Sequence, residues 1–131
     1  MSIQSLIIVQ RELDILKKYL QDSILTEFNK RTLAAEIASA RVVNEQELPD
    51  DAVSLNTVIH VKELKSGQNF IFQIVHPSAA DVKRNKVSVF APIAIALLGY
   101  RKGSTTRWEM PGGVQEFEIL KVVRVDQDQA A

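Results

Sequence analysis

Hydrophobic positions recur along this chain with two different periods, and the change of period divides it. From Leu6 the apolar residues fall at Leu6, Val9, Leu13, Leu16 and Leu20, in steps of three and four that describe the stripe of an amphipathic helix. Arg11, Glu12, Lys17 and Lys18 occupy its other faces. The β-branched run Ile7-Ile8-Val9 suits a helical first turn poorly, so the helix is expected to begin nearer Gln10. Gln21-Asp22-Ser23 interrupts the stripe with residues that favour turns and caps. A second helix is expected from about Leu25 to Ala40, with Leu33, Ile37 and Ala40 on one face and Glu27, Lys30, Arg31 and Glu36 toward solvent. So short a connection predicts an antiparallel hairpin projecting roughly 20 Å, without the sustained heptads of a long coiled coil.

Asn44 to Asp51 is polar and acidic, contains Pro49, and reads as a linker. Beyond it the period becomes two. Thr57 to Leu64, with Ile59 and Val61 on one face, and Phe70 to Val75, with Phe72 and Ile74 on one face, predict an antiparallel pair of strands with Gly67 in the turn. Ser78 to Lys86 is a polar connection, followed by a strand at Val87-Ser88-Val89. Pro92 and Gly99 then bracket an apolar helix from Ile93 to Leu98, and a helix apolar all round requires cover on every side. Arg101-Lys102-Gly103 reads as an exposed turn. Thr105 to Met110 alternates, Pro111-Gly112 suggests a type II turn, and the final strand changes phase between Phe117, Ile119 and Leu120, Val122, which predicts a bulge near Leu120. The tail from Asp126 is expected to fray. The fold class expected is α+β: a short helical hairpin over residues 1–47 and an antiparallel sheet domain with one short buried helix over residues 48–131.

Composition narrows the function without naming it. The 131 residues are 46% apolar and 24% charged, as in ordinary globular chains. Sixteen basic and sixteen acidic residues balance, so no whole-molecule field favours nucleic acid, and DNA or RNA is expected to be met only indirectly. The absence of cysteine excludes disulfides, thiolate zinc sites and cysteine nucleophiles. No apolar run approaches the length of a membrane span, and the first residues lack a secretory signal's basic start and cleavage site, so a cytoplasmic protein with no membrane partner is expected.

Candidate chemistry is sparse. His60 and His76 have no ligand partners at metal-site spacing and are read as structural. Ser88, Ser104, Thr105 and Thr106 match no nucleophile motif, and Gly112-Gly113 sits in a hairpin turn rather than between a strand and a helix, so it is not a phosphate loop. Trp108, Phe70 and Phe72 are read as core. Lys83, Arg84, Lys86, Arg101, Lys102 and Arg107 form either a solvated face or a basic rim for an acidic partner. Neither cofactor, metal nor small-molecule substrate is expected.

One combination is more specific. The strand Val87 to Val89, the loop Phe90-Ala91-Pro92, the helix from Ile93 to Leu98 with Gly99, and the turn Met110-Pro111-Gly112-Gly113 before Val114 to Ile119 resemble the C-terminal domain of the bacterial transcript-cleavage factors GreA and GreB. The stretch Leu48 to Thr57 is similar to the lead-in to the sheet in the Rnk group, the regulators of nucleoside diphosphate kinase, which is the nearer match. The resemblance implies an FKBP-like sheet domain carrying a coiled-coil hairpin. It also implies docking on RNA polymerase beside the secondary channel, against the rim of the β′ subunit, through Phe90, Ala91, Pro92 and Ile93. Where Gre factors have a polar pair before the matched proline, this chain has Phe90-Ala91, and the aromatic is either a core plug or an exposed anchor.

Gre factors cleave backtracked RNA with carboxylates at the tip of a long hairpin, which help to hold a second Mg²⁺; hard oxygen ligands and an activated water are what that chemistry needs. The corresponding tip here offers Asp22, Ser23 and Glu27, lacks an adjacent acidic pair, and ends a much shorter arm. Binding without cleavage, and hence no enzymatic activity, is the expectation. A cleaving factor is the alternative, and a prolyl isomerase on the FKBP-like fold ranks third because fold does not imply function.

Overall fold

The computed structural model describes residues 5–125, so the expectation of a frayed tail from Asp126 lies outside the described residues. The first element is not helical. Ile7–Ile8 forms a short strand, β1, before helix α1 (Gln10–Asp22), whose Leu13 and Leu16 are buried. Helix α2 (Glu27–Ser39) packs beside α1 and leads into β2 (Arg41–Val42), which pairs with β1 in parallel. β-branched side chains at Ile7 and Ile8 fit this extended pairing better than a helical turn. Arg41 donates its amide to the Leu6 carbonyl at 2.7 Å and Val43 donates to Ile8 at 3.0 Å, closing the base of the helical pair.

Residues 44–51 are more ordered than a linker reading implies. Glu45–Glu47 is a single turn of 3-10 helix with a reciprocal capping box, in which Asn44 Oδ1 accepts from the Glu47 amide and Glu47 Oε1 accepts from the Asn44 amide. The five-stranded sheet follows, comprising β3 (Thr57–Glu63), β4 (Asn69–Val75), β5 (Lys86–Ser88), β6 (Thr105–Met110) and β7 (Gly113–Arg124) in the order β5-β4-β3-β7-β6. All neighbours are antiparallel except β4 and β5. Alternation places Thr57, Ile59, Val61 and Glu63 inward. The bulge lies where the phase change puts it: His60 faces Lys121 and Val61 faces Ile119, leaving Leu120 as the extra residue.

Helix α3 (Pro92–Leu97) has Pro92 in its first turn, and Ala94, Ile95, Ala96 and Leu97 are buried. Thr106 Oγ1 donates to the Ala96 carbonyl at 3.1 Å, tying the helix to β6. Gly99 has φ +86°, and a Cβ there would lie 2.9 Å from the Cβ of Leu6, so both backbone sign and space demand glycine. The β6–β7 turn differs from expectation. Positive φ occurs at Gly113 (+125°) and not at Gly112, so the turn is not type II; Gly113 pairs with Met110 at the start of β7.

One core joins the helices to the sheet, with Leu13, Leu16 and Leu33 packed in the same cluster as Ile59, Ile74, Ile95, Trp108 and Ile119. Three expectations about sides fail. Phe70 is 41% exposed although it shares a β4 face with buried Phe72 and Ile74. Glu12 is buried although it lies off the Leu13–Leu16 stripe, because the 54–56 segment covers that face too. Glu36, expected in solvent, accepts a 2.5 Å hydrogen bond from the Tyr100 hydroxyl.

Candidate functional site

The segment Phe90 to Ile93 forms a hydrogen-bonded, outward-facing corner. Ser88 organises it: the Ala91 amide donates to the Ser88 carbonyl at 2.9 Å and the Phe90 amide donates to Ser88 Oγ at 3.1 Å. The Val89 amide donates to the Val75 carbonyl at 2.9 Å, fixing the corner to β4. Buried α3 forms its floor. Phe90 is 48% exposed and Pro92 is exposed, whereas Ala91 and Ile93 are half-buried, so the aromatic is displayed rather than plugged into the core. Interfaces draw their anchors from such pre-placed aromatic side chains.

The arm tip is built differently. Asp22 ends α1 and lies 3.6 Å from Lys18. The Ser23 amide donates to the Tyr19 carbonyl, Ile24 projects fully into solvent, and Thr26 caps α2 by accepting from the Asn29 amide at 3.1 Å. Glu27 is exposed in the first turn of α2, where the helix dipole favours an acid. Among the described residues no cluster of three or more acidic or histidine side chains is placed to hold a metal.

Two ties fasten this arm to the rest of the fold, one on β6 and one on the connection between α3 and β6. Near the tip, buried Asn29 bonds both backbone groups of Glu109 on β6. Near the base stands the Tyr100–Glu36 pair, in which burial pushes the Glu36 carboxyl up to about 7, partly offset by the Tyr100 bond. The Tyr100 hydroxyl is itself pushed up by burial and by the adjacent carboxyl. Sequence periodicity could not find either tie, since the partners lie 80 and 64 positions apart.

Glu12 lines a cavity of about 380 Å³ together with Arg11, Glu45, Asn56 and Arg124. Its Oε2 accepts from the Leu55 amide at 3.1 Å, Oε1 has no partner among the described residues, and burial raises its pKa.

The basic rim is half neutralised. Arg84 lies 3.6 Å from Asp81, Arg101 2.8 Å from Asp51, and Arg107 3.5 Å from Glu116. His76 accepts from the Ser78 amide and caps the short turn at 77–79, a structural role. No helix among the described residues is long and apolar enough to cross a membrane.

The family described as "Transcription elongation factor, GreA/GreB, C-term" matches residues 48–124. The "Regulator of nucleoside diphosphate kinase" of Escherichia coli K12 is 34% identical over 91 residues, which are 69% of this chain and 67% of that protein. "Transcription elongation factor GreA" of Christiangramia forsetii is 31% identical over 100 residues, covering 76% of this chain and 63% of the relative. Among solved structures, the GreA/GreB elongation factor of Nitrosomonas europaea superimposes with a TM-score of 0.64 at 29% identity, covering 92% of this chain and 99% of that one.

Proposed function

Because the chain belongs to the GreA/GreB transcription elongation factor family by its C-terminal domain, we propose that it is an RNA polymerase-binding regulator of the Rnk type that docks without cleaving the transcript. The docking surface is the corner Phe90, Ala91, Pro92 and Ile93, and its counterpart is the rim of the secondary channel on the β′ subunit. Exposed Phe90 and Pro92 on a buried helical floor support this choice, since a pre-organised apolar anchor loses little entropy on binding. A five-stranded sheet around one short buried helix supports the FKBP-like description of the domain.

The observation that carries the non-cleaving reading is the tie between Asn29 and Glu109. It fastens α2 to β6 three residues beyond its Thr26 cap, so the arm lies along the domain instead of extending from it. Asp22 and Glu27, on two 13-residue helices, then have neither the reach nor the paired geometry that a metal-assisted cleavage requires.

Titration of core RNA polymerase with the protein, alone and against a competing Gre factor, tests docking; saturable binding with mutual exclusion is expected, and absence of both overturns the proposal. The alternative, a cleaving factor, requires Mg²⁺-dependent shortening of backtracked RNA that is lost when Asp22 and Glu27 are replaced by alanine.

A further inference from the structure

The two edges of the five-stranded sheet are finished differently. At β6 the Asn29 amide takes the place of a further strand. At the opposite edge β5 covers only Gln73, Ile74 and Val75 of β4. Odd-numbered residues of β4 turn their backbone groups away from β3: the Gln73 amide donates to the Asn85 carbonyl and the Val75 carbonyl accepts from Val89, both at 2.9 Å. Even-numbered neighbours face β3, as the Ile74 carbonyl does in accepting from Asn56 at 2.7 Å. The same alternation directs the N–H and C=O groups of Asn69 and Ile71 outward, past the end of β5, where no strand of the described residues lies beside them.

An apolar groove of about 640 Å³ adjoins this open edge, lined in part by Phe70, Phe72, Val82, Val87 and Ala91. Val82 is 91% exposed, and Phe70 is left open on a face whose other members are buried. β4 itself carries no charge, while Lys86 lines the groove and Lys83 follows its lining residue Val82 in the chain, neither with an acidic partner among the described ion pairs; Arg84 is engaged by Asp81.

We infer that this edge receives an extended segment of a partner protein in which apolar residues alternate and acidic residues stand at one end. Backbone bonds to Asn69 and Ile71 set the register of the incoming strand, alternate side chains enter the groove against Phe70 and Val82, and the acids meet Lys83 and Lys86. A second copy of this chain does not fit this chemistry, because β4 paired with β4 offers those lysines no acid. The inference does not rest on polymerase docking by the neighbouring corner.

The test is amide exchange of the full chain, followed by NMR, with a synthetic peptide of two glutamates followed by alternating valine and threonine. Expected are saturable binding, slowed exchange at Asn69 and Ile71, and affinity at least about fivefold above that of the same peptide with lysines in place of the glutamates, the equivalent of one net hydrogen-bond-sized interaction. Ile71→Pro removes an outward N–H at a position where an edge strand accepts proline, and is expected to lower affinity by about fivefold or more. Val82→Asp, at a residue with no packing to lose, is expected to weaken binding with the fold intact. Absence of saturable binding, binding that leaves both amides unprotected, binding indifferent to both variants, or only self-association of the chain overturns the inference.

Discussion

The side-chain amide of Asn29 brackets the peptide of Glu109: Nδ2 donates to the Glu109 carbonyl at 2.9 Å, and Oδ1 accepts from the Glu109 amide at 2.7 Å. One side chain thereby completes an edge strand and fastens an arm. Asn29→Ala removes both bonds and leaves backbone groups of β6 unmatched, so denaturant unfolding is expected to show a loss of about 2 kcal/mol. Asn29→Asp keeps the acceptor and loses the donor, and an intermediate loss is expected.

The Glu36–Tyr100 pair makes stability depend on pH. Glu36 titrates near 7 in the folded chain and at an ordinary 4.5 when unfolded, so the folded state holds its proton more tightly. Its stabilising contribution is complete below about pH 4.5 and is lost as pH rises through 7, up to about 3 kcal/mol over that window. Thermal melts at pH 5 and pH 8 are expected to differ less in Glu36→Gln than in the parent chain. An equal pH response in the two proteins contradicts this assignment.

Gly99 and Gly103 separate two costs of a side chain. Both have positive φ, but only at Gly99 does a Cβ meet another atom, at 2.9 Å from Leu6. Gly103→Ala is expected to cost about 1 kcal/mol for backbone conformation alone, and Gly99→Ala about 3 kcal/mol, because Leu6, which leads into β1, must also shift. Parallel urea titrations measure the difference.

Phe90→Asp tests the docking corner without a confounding fold defect. The side chain is half exposed, so stability is expected to hold within about 0.5 kcal/mol. Affinity for core RNA polymerase is expected to fall at least about tenfold, as for an aromatic anchor. Unchanged affinity removes Phe90 from the interface.

Local physics determined much of this protein from the sequence alone. The Leu13–Leu16 stripe, the strands β3 to β7, the Pro92–Gly99 helix and the Leu120 bulge all follow from side-chain period and from the fixed φ of proline, which act over a few residues. The resemblance carried by Val87 to Ile119 was legible for the same reason, being a contiguous run of such elements. Only the tertiary structure decided which side of an element is covered. Glu36 and Glu12 lie off the apolar stripe yet are enclosed by segments distant in sequence, Phe70 lies on a core-type face yet is left open at the start of β4, and Phe90 is displayed by a corner that Ser88 folds. Burial of the two glutamates depends on partners up to 64 residues away, and no periodicity in the chain encodes where those partners come to rest.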